Sequence, residues 1–196
     1  FRDLAWQNVI TKVAKSIVIL KFTKVHNYDT EQTGIFKTLG FIVDDTSGLI
    51  LTCKKIIGNG PIQIIAIFNN FEEVLVKPLY IDPTHDFMIL KFDVSKIKFL
   101  KIQGLELSPN LVKLGCEFKI FSLNNNLNDY DHEENNLIVL NGFISRLDCN
   151  APIYGSGQFL SYNDFNTEYM QALTYNAFKN DAKDKKDQFF LTCGSP

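Results

Sequence analysis

Along the first seventeen residues the apolar positions Trp6, Val9, Ile10, Val13, Ala14 and Ile17 recur at i, i+3, i+4, i+7, i+8 and i+11. That spacing lines one side of a 3.6-residue helix and predicts a helix over residues 4–15 that packs on the body. From Ser16 the pattern changes to short runs rich in Ile, Val, Leu and Phe: SIVILKF, GIFKTLGFIVDD, GLILT, PIQIIAIF, EEVLVKPLYI and DFMILKF. Turn signals such as DDTSG and FNNFEE separate them, and no helix-length segment intervenes. Short strands at this spacing predict an antiparallel barrel or sandwich rather than a doubly wound sheet. The stretch KIQGLELSPNLVKLG, broken by Gly104, Pro109 and Gly115, reads as a connection between two units. A second strand set follows, CEFKIFSL, NLIVLNGFISRLD and EYMQALTY, which is too few strands to close a barrel. The expected organisation is a helix over 1–15, a first barrel over 16–101, a connection over 102–115 and a second, truncated barrel over 116–196.

Composition narrows the functional classes. With 196 residues, of which 45% are hydrophobic, the chain can bury an ordinary globular core. Its net charge is -2 with both signs dispersed, so it lacks the basic field that phosphate recognition needs, and no nucleic-acid partner is expected. No apolar run reaches the roughly 18 residues of a membrane span, and FRDLAWQNVI carries neither a basic leader nor a small-residue cleavage site, so an intracellular protein without a membrane partner is expected. Cys53, Cys116, Cys149 and Cys193 lack metal-type spacing and are expected to be reduced, so neither zinc nor another cofactor is predicted. Two polar insertions stand out. In NNNLNDYDHEENN, residues 124–136, the acidic run lacks the glycine and closing glutamate of a calcium loop and reads as a solvated surface loop. The stretch between Ala172 and Cys193 includes KNDAKDKKDQ, whose acids nearly cancel its bases, and it reads as a mobile loop.

Longer motifs carry a family resemblance. GFIVDD and GLILT precede LTCKKIIG (Leu51 to Gly58), DPTHDF (Asp82 to Phe87) follows, and SRLDCNAPIYG and YNDFNTEYMQA lead to a terminal CGSP. Together these resemble the first protease unit of the fungal, nuclear HtrA-like serine proteases, over nearly the whole chain from Trp6 to Pro196. The resemblance implies an all-β, trypsin-like double β-barrel, serine-type endopeptidase ancestry, a role in protein quality control and apoptosis, and residence in the nucleus. It also implies extended peptide or unfolded protein as partner and allows a homo-oligomer. The chain begins with Phe and stops directly after the nucleophile motif, so it reads as a fragment whose specificity-pocket strands would lie beyond Pro196.

The same resemblance assigns three catalytic positions, and two of them carry the wrong residue. Such a site needs a nucleophile, an imidazole to relay its proton and a carboxylate to orient the imidazole. Asp86 takes the carboxylate position, although the residue also suits a turn ahead of a buried strand. Lys55 stands where LTxxHVVG would supply histidine; beside a carboxylate it stays a protonated cation and a poor base, or serves as an ion-pair partner. Cys193 replaces the serine. A thiolate is a competent nucleophile, but only with a base, and His26, His85 and His132 are the candidates. His85 adjoins Asp86 and should face the other way. At the oxyanion-hole position two before the nucleophile, Leu191 replaces glycine, in a lengthened approach reading FFLTCGSP. The expectation is a catalytically degenerate protease unit acting as a peptide-binding or assembly module. The alternative is an active endopeptidase that uses serine-type machinery or Cys193.

Overall fold

A computed structural model of the chain describes residues 2–25, 33–54, 57, 60–123, 137–149, 169–175 and 188–192, with backbone alone at 2, 3, 175 and 188–192. It divides into two compact units, Phe1–Leu107 and Ser108–Pro196.

The first unit opens with helix α1 (Arg2–Ala14), followed by six strands: β1 (Ile17–Lys24), β2 (Gly34–Asp44), β3 (Leu49–Thr52), β4 (Ile62–Ile67), β5 (Glu73–Ile81) and β6 (Met88–Phe92). They close into an antiparallel barrel in the order β1-β2-β3-β6-β5-β4. All six apolar runs of the sequence become strands because each alternates inward and outward. In β1, Val18, Leu20 and Phe22 are buried, and in β6, Met88, Leu90 and Phe92 are. These side chains meet Ile42, Ile50, Ile64, Val74 and Val76 in one core. Closure removes the free edges that an open six-stranded sheet would expose.

Of the helical stripe, Trp6, Ile10, Val13, Ala14 and Ile17 are half-buried, and Val9 is 44% exposed. Ile97 and Leu100, and Ile102 at the start of the expected connection, pack on the core, and Leu105 N–H donates to the Ile42 carbonyl at 2.8 Å.

In the second unit, β7 (Glu117–Leu123), β8 (Leu137–Cys149), β9 (Tyr169–Tyr175) and β10 (Gln188–Thr192) form one antiparallel sheet in the order β10-β9-β8-β7. β10 overturns part of the mobile-loop reading of residues 173–192. QFFLT pairs with β9 from Gln188 opposite Leu173 to Thr192 opposite Tyr169. Its five residues follow the polar KNDAKDKKD and were hidden by it; Phe189, Phe190 and Thr192 are strand formers, and β9 supplies their pairing partner. The acidic run 124–136 and residues 176–187 lie outside the described residues. No described helix is long and apolar enough to cross a membrane.

One turn is intolerant of any side chain. Gly48, between β2 and β3, has φ +70°, and a Cβ there would lie 2.4 Å from the Phe92 carbonyl oxygen. The obstacle is backbone that itself bonds Gly48, through Phe92 N–H to Gly48 O at 3.0 Å. Gly48→Ala is therefore expected to cost about 2–4 kcal/mol in urea unfolding, from left-handed strain plus overpacking. Gly115 (φ +79°) has nothing within 4 Å of its would-be Cβ, so Gly115→Ala should cost only about 1 kcal/mol.

Candidate active site

The register of the barrel brings the site together. β3 and β6 pair from Leu49 opposite Lys91 to Thr52 opposite Met88. Extending that register two residues past the strand ends puts Lys54 opposite Asp86. Accordingly Lys54 N–H donates to Asp86 Oδ1 at 3.0 Å. Asp86 is half-buried at the mouth of the barrel, ahead of β6, with its carboxylate against the backbone of the LTCKK segment.

The loop presenting Asp86 is organised by Asp82. This residue is buried, 9% exposed, and its N–H donates to the Phe87 carbonyl at 3.1 Å, which carries the β5–β6 pairing one step past Ile81 opposite Met88. Its Oδ1 accepts Thr84 N–H at 2.9 Å and His85 N–H at 2.6 Å, and lies 3.1 Å from His85 Nδ1. Its Oδ2 accepts the Tyr80 hydroxyl at 2.9 Å. Lys54 Nζ donates to the Asp82 carbonyl at 2.6 Å. Lys54 thus holds the loop twice, by backbone to Asp86 and by side chain to Asp82. The His85 N–H bond, with those from Thr84, Tyr80 and the His85 ring, lowers the Asp82 carboxyl to about 2, because each donor favours the ionised form. The carboxylate in turn raises the Tyr80 phenol, which would lose the hydrogen bond it donates to Asp82 on ionising.

Of the positions expected from sequence, Asp86 lies against the backbone of Lys54, while Lys55 and Cys193 lie outside the described residues. Leu191 is described in backbone only and sits in β10 opposite Met170. His85 has its Nδ1 on Asp82, while Asp86 accepts from Lys54, so the two neighbours address different partners. His26 and His132 also lie outside the described residues. Sequence reasoning missed Asp82, Lys54 and Tyr80. The signal for Asp82 was present in DPTH: an Asp followed by Pro is the start of a turn in which the carboxylate caps the next backbone N–H groups. Lys54 and Tyr80 had no local signal, since only the barrel register brings them to that loop. Among the described residues, no three His, Cys, Asp or Glu side chains gather as metal ligands would.

No protein-family profile matches the chain. Pairwise, it is 48% identical over 167 residues, 85% of its own length, to a pro-apoptotic serine protease named NMA111 from Scheffersomyces stipitis. Equally named proteins from Debaryomyces hansenii and Kluyveromyces lactis match at the same identity and extent. The chain spans only 16% of the length of these relatives. Among solved structures it resembles the HtrA-type protease AlgW with a tripeptide, at TM-score 0.58 and 19% identity, covering 85% of this chain and 45% of that one. AlgW with a decapeptide aligns at TM-score 0.57 and 16% identity, covering 86% and 51%. At such identities the solved structures speak for the fold: a closed six-stranded barrel with a partial second sheet, as in the trypsin-like HtrA architecture.

Asp82 makes the loop acid-labile in a defined window. Its folded carboxyl, near 2, lies below the ordinary value of about 3.9, so its contribution is fully present above about pH 4 and is lost as pH falls towards 2. Asp82→Asn should lower the thermal midpoint at pH 7, and the gap from the parent should narrow at pH 2.5. A constant gap across that range would assign the loss to something other than the ionised carboxylate.

Proposed function

Since the chain belongs to the HtrA-like serine proteases, we propose that it is a protease unit without a working proton relay, which binds extended peptide or unfolded protein instead of cutting it. The observation that carries this reading is the placement of Asp86. Its carboxylate is held on the segment whose next residue is Lys55, where the family resemblance calls for histidine. A lysine titrates near 10.4 in water, and a neighbouring carboxylate favours its charged form further, so it holds its proton at neutral pH. Cys193 then lacks a base, and a thiol without one is a few per cent thiolate at most. Loss of the imidazole alone costs on the order of a million-fold in turnover in a working triad. Replacement of glycine by Leu191 at the oxyanion position weakens transition-state binding as well.

Peptide capture needs none of these groups, because an extended chain is held by main-chain hydrogen bonds to a sheet edge. The solved relatives in fold carry a tripeptide and a decapeptide, which accords with this role. The relatives' names add proteolysis in apoptosis as the setting, and residence in the nucleus and assembly into a homo-oligomer belong to the same proposal. The second reading, an active endopeptidase dependent on Cys193, has in its favour the family carboxylate at Asp86 and a soft nucleophile at the family position.

Incubation of the purified chain with unfolded casein and with serine- and cysteine-directed activity probes separates the two. Retention of casein without cleavage is expected, with no probe labelling beyond that of an ordinary thiol. Casein turnover that disappears in Cys193→Ala would establish the endopeptidase and reject the binding module.

A further inference from the structure

A groove of about 830 Å³ runs over the outer face of the first barrel, away from the loop that presents Asp86. Its floor is β5 and the end of β6; the turn at Thr46 and Ser47 and the turn Val94–Lys96 bound it. Val74 and Val76 of β5 are buried in the core, and Leu75, Lys77 and Leu79 line the groove on the other side. Leu75 and Leu79 are 47% and 57% exposed. Between them, Lys77 stands directly opposite Lys91 of β6.

That pairing is unfavourable by itself, since like charges directly opposite in a sheet repel. Among the described residues no carboxylate pairs with it directly, and the groove's one acid, Asp93, lies at its end beside Lys96. The partner of Lys91 on its other side is Leu49 of β3. The acid two residues along, Asp93, has Oδ1 committed to Ser95 N–H and Ser95 Oγ at 3.1 and 2.7 Å. Among the described residues neither Lys77 nor Lys91 has a carboxylate within ion-pair distance. The surface therefore reads aliphatic at Leu75, doubly cationic at Lys77 and Lys91, and aliphatic at Leu79, with Asp93 and Lys96 at its end.

We propose that this groove binds an extended peptide segment with aliphatic, acidic and aliphatic side chains at i, i+2 and i+4, the carboxylate lying between Lys77 and Lys91. The step fits over the regular part of β5: alternate side chains of an extended peptide recur at about 6.7 Å, the repeat that spaces Leu75 and Lys77, and Leu79 follows in the irregularity between Pro78 and Tyr80. Two ammonium groups on one carboxylate relieve their mutual repulsion and form charge-assisted hydrogen bonds. A free phosphate would satisfy the lysines but leave both leucines in water, whereas the peptide covers them, and the volume lies within the range of small-ligand clefts. The site is separate from that of Asp86 and needs no catalysis.

The test is fluorescence anisotropy of fluorescein-labelled Leu-Ser-Glu-Ser-Leu-amide with the full chain at low salt, beside the same peptide with Gln for Glu. Saturable binding is expected, at least about 10-fold weaker for the Gln peptide and for the Lys77→Gln/Lys91→Gln double variant, as loss of a charged hydrogen bond implies. Asp86→Asn should bind as the parent does. Without peptide, the double variant should melt at or above the parent's midpoint, because the repelling pair is gone. Equal binding of the Gln peptide, undiminished binding by the double variant, loss of binding in Asp86→Asn, full displacement by an equal concentration of inorganic phosphate, or a lowered midpoint would each overturn the assignment.

Discussion

The hydrogen bond from Lys54 N–H to Asp86 Oδ1 is the contact through which the barrel becomes a site. It is a consequence of strand register. Once Thr52 pairs with Met88, the residues two steps beyond each strand end must face one another. The carboxylate needs no long-range steering, because the six buried runs that close the barrel have already set its position. A slip of one residue in β3 or β6 would turn the core side chains outward and separate Lys54 from Asp86 in the same move. Core packing and site geometry are thus enforced by one constraint.

The turns of the barrel share a second device. Asp44 accepts Thr46 N–H at 2.9 Å and Ser47 N–H at 3.0 Å; Asp82 accepts from Thr84 and His85; Asp93 accepts Ser95 N–H. In each case a carboxylate caps backbone donors two or three residues ahead and its pKa lies below the ordinary value, held down foremost by the Thr46 hydroxyl at Asp44, the Ser95 hydroxyl at Asp93 and the His85 N–H at Asp82. The strands are bound by apolar burial, which is indifferent to pH, while the connections that aim side chains rest on ionised acids. Acid should therefore loosen the connections before the core. The loop at Asp82 is the most heavily invested, since Tyr80 and Lys54 also bind the same residue.

How much of this was legible in the sequence follows from the range of each interaction. The six barrel strands announce themselves because alternation of buried and exposed positions is local, as in IVILKFTK and MILKF. DPTHDF was legible in part: its motif marked Asp86, while Asp82 could be read as a turn-former only by weighing its carboxylate against the following N–H groups. The tie from Lys54 Nζ to the Asp82 carbonyl spans 28 residues and had no local trace. β10 was missed because its five residues follow a charged run and depend on β9 for their pairing, whereas the stripe of α1 was legible from its spacing alone. Phe71, in the expected turn FNNFEE, holds φ +65°, a conformation that favours glycine, so the turn was predictable but not the residue bearing it.

The functional proposal turns on the charge of one amine. Asp86 is anchored on the backbone of Lys54, and in the proposal the next residue, Lys55, stands where the family resemblance calls for histidine. Proteolysis would require that this amine, or some other group, accept a proton from Cys193 near neutral pH. The direct measurement is an NMR titration of the Lys55 side chain, assigned by comparison with Lys55→Arg, in the parent and in Asp86→Asn. The proposal predicts an ammonium that stays charged from pH 6 to at least about pH 9, and a midpoint that falls when the carboxylate is removed. An amine that titrates near pH 7 in the parent would contradict it and restore a lysine base to the site.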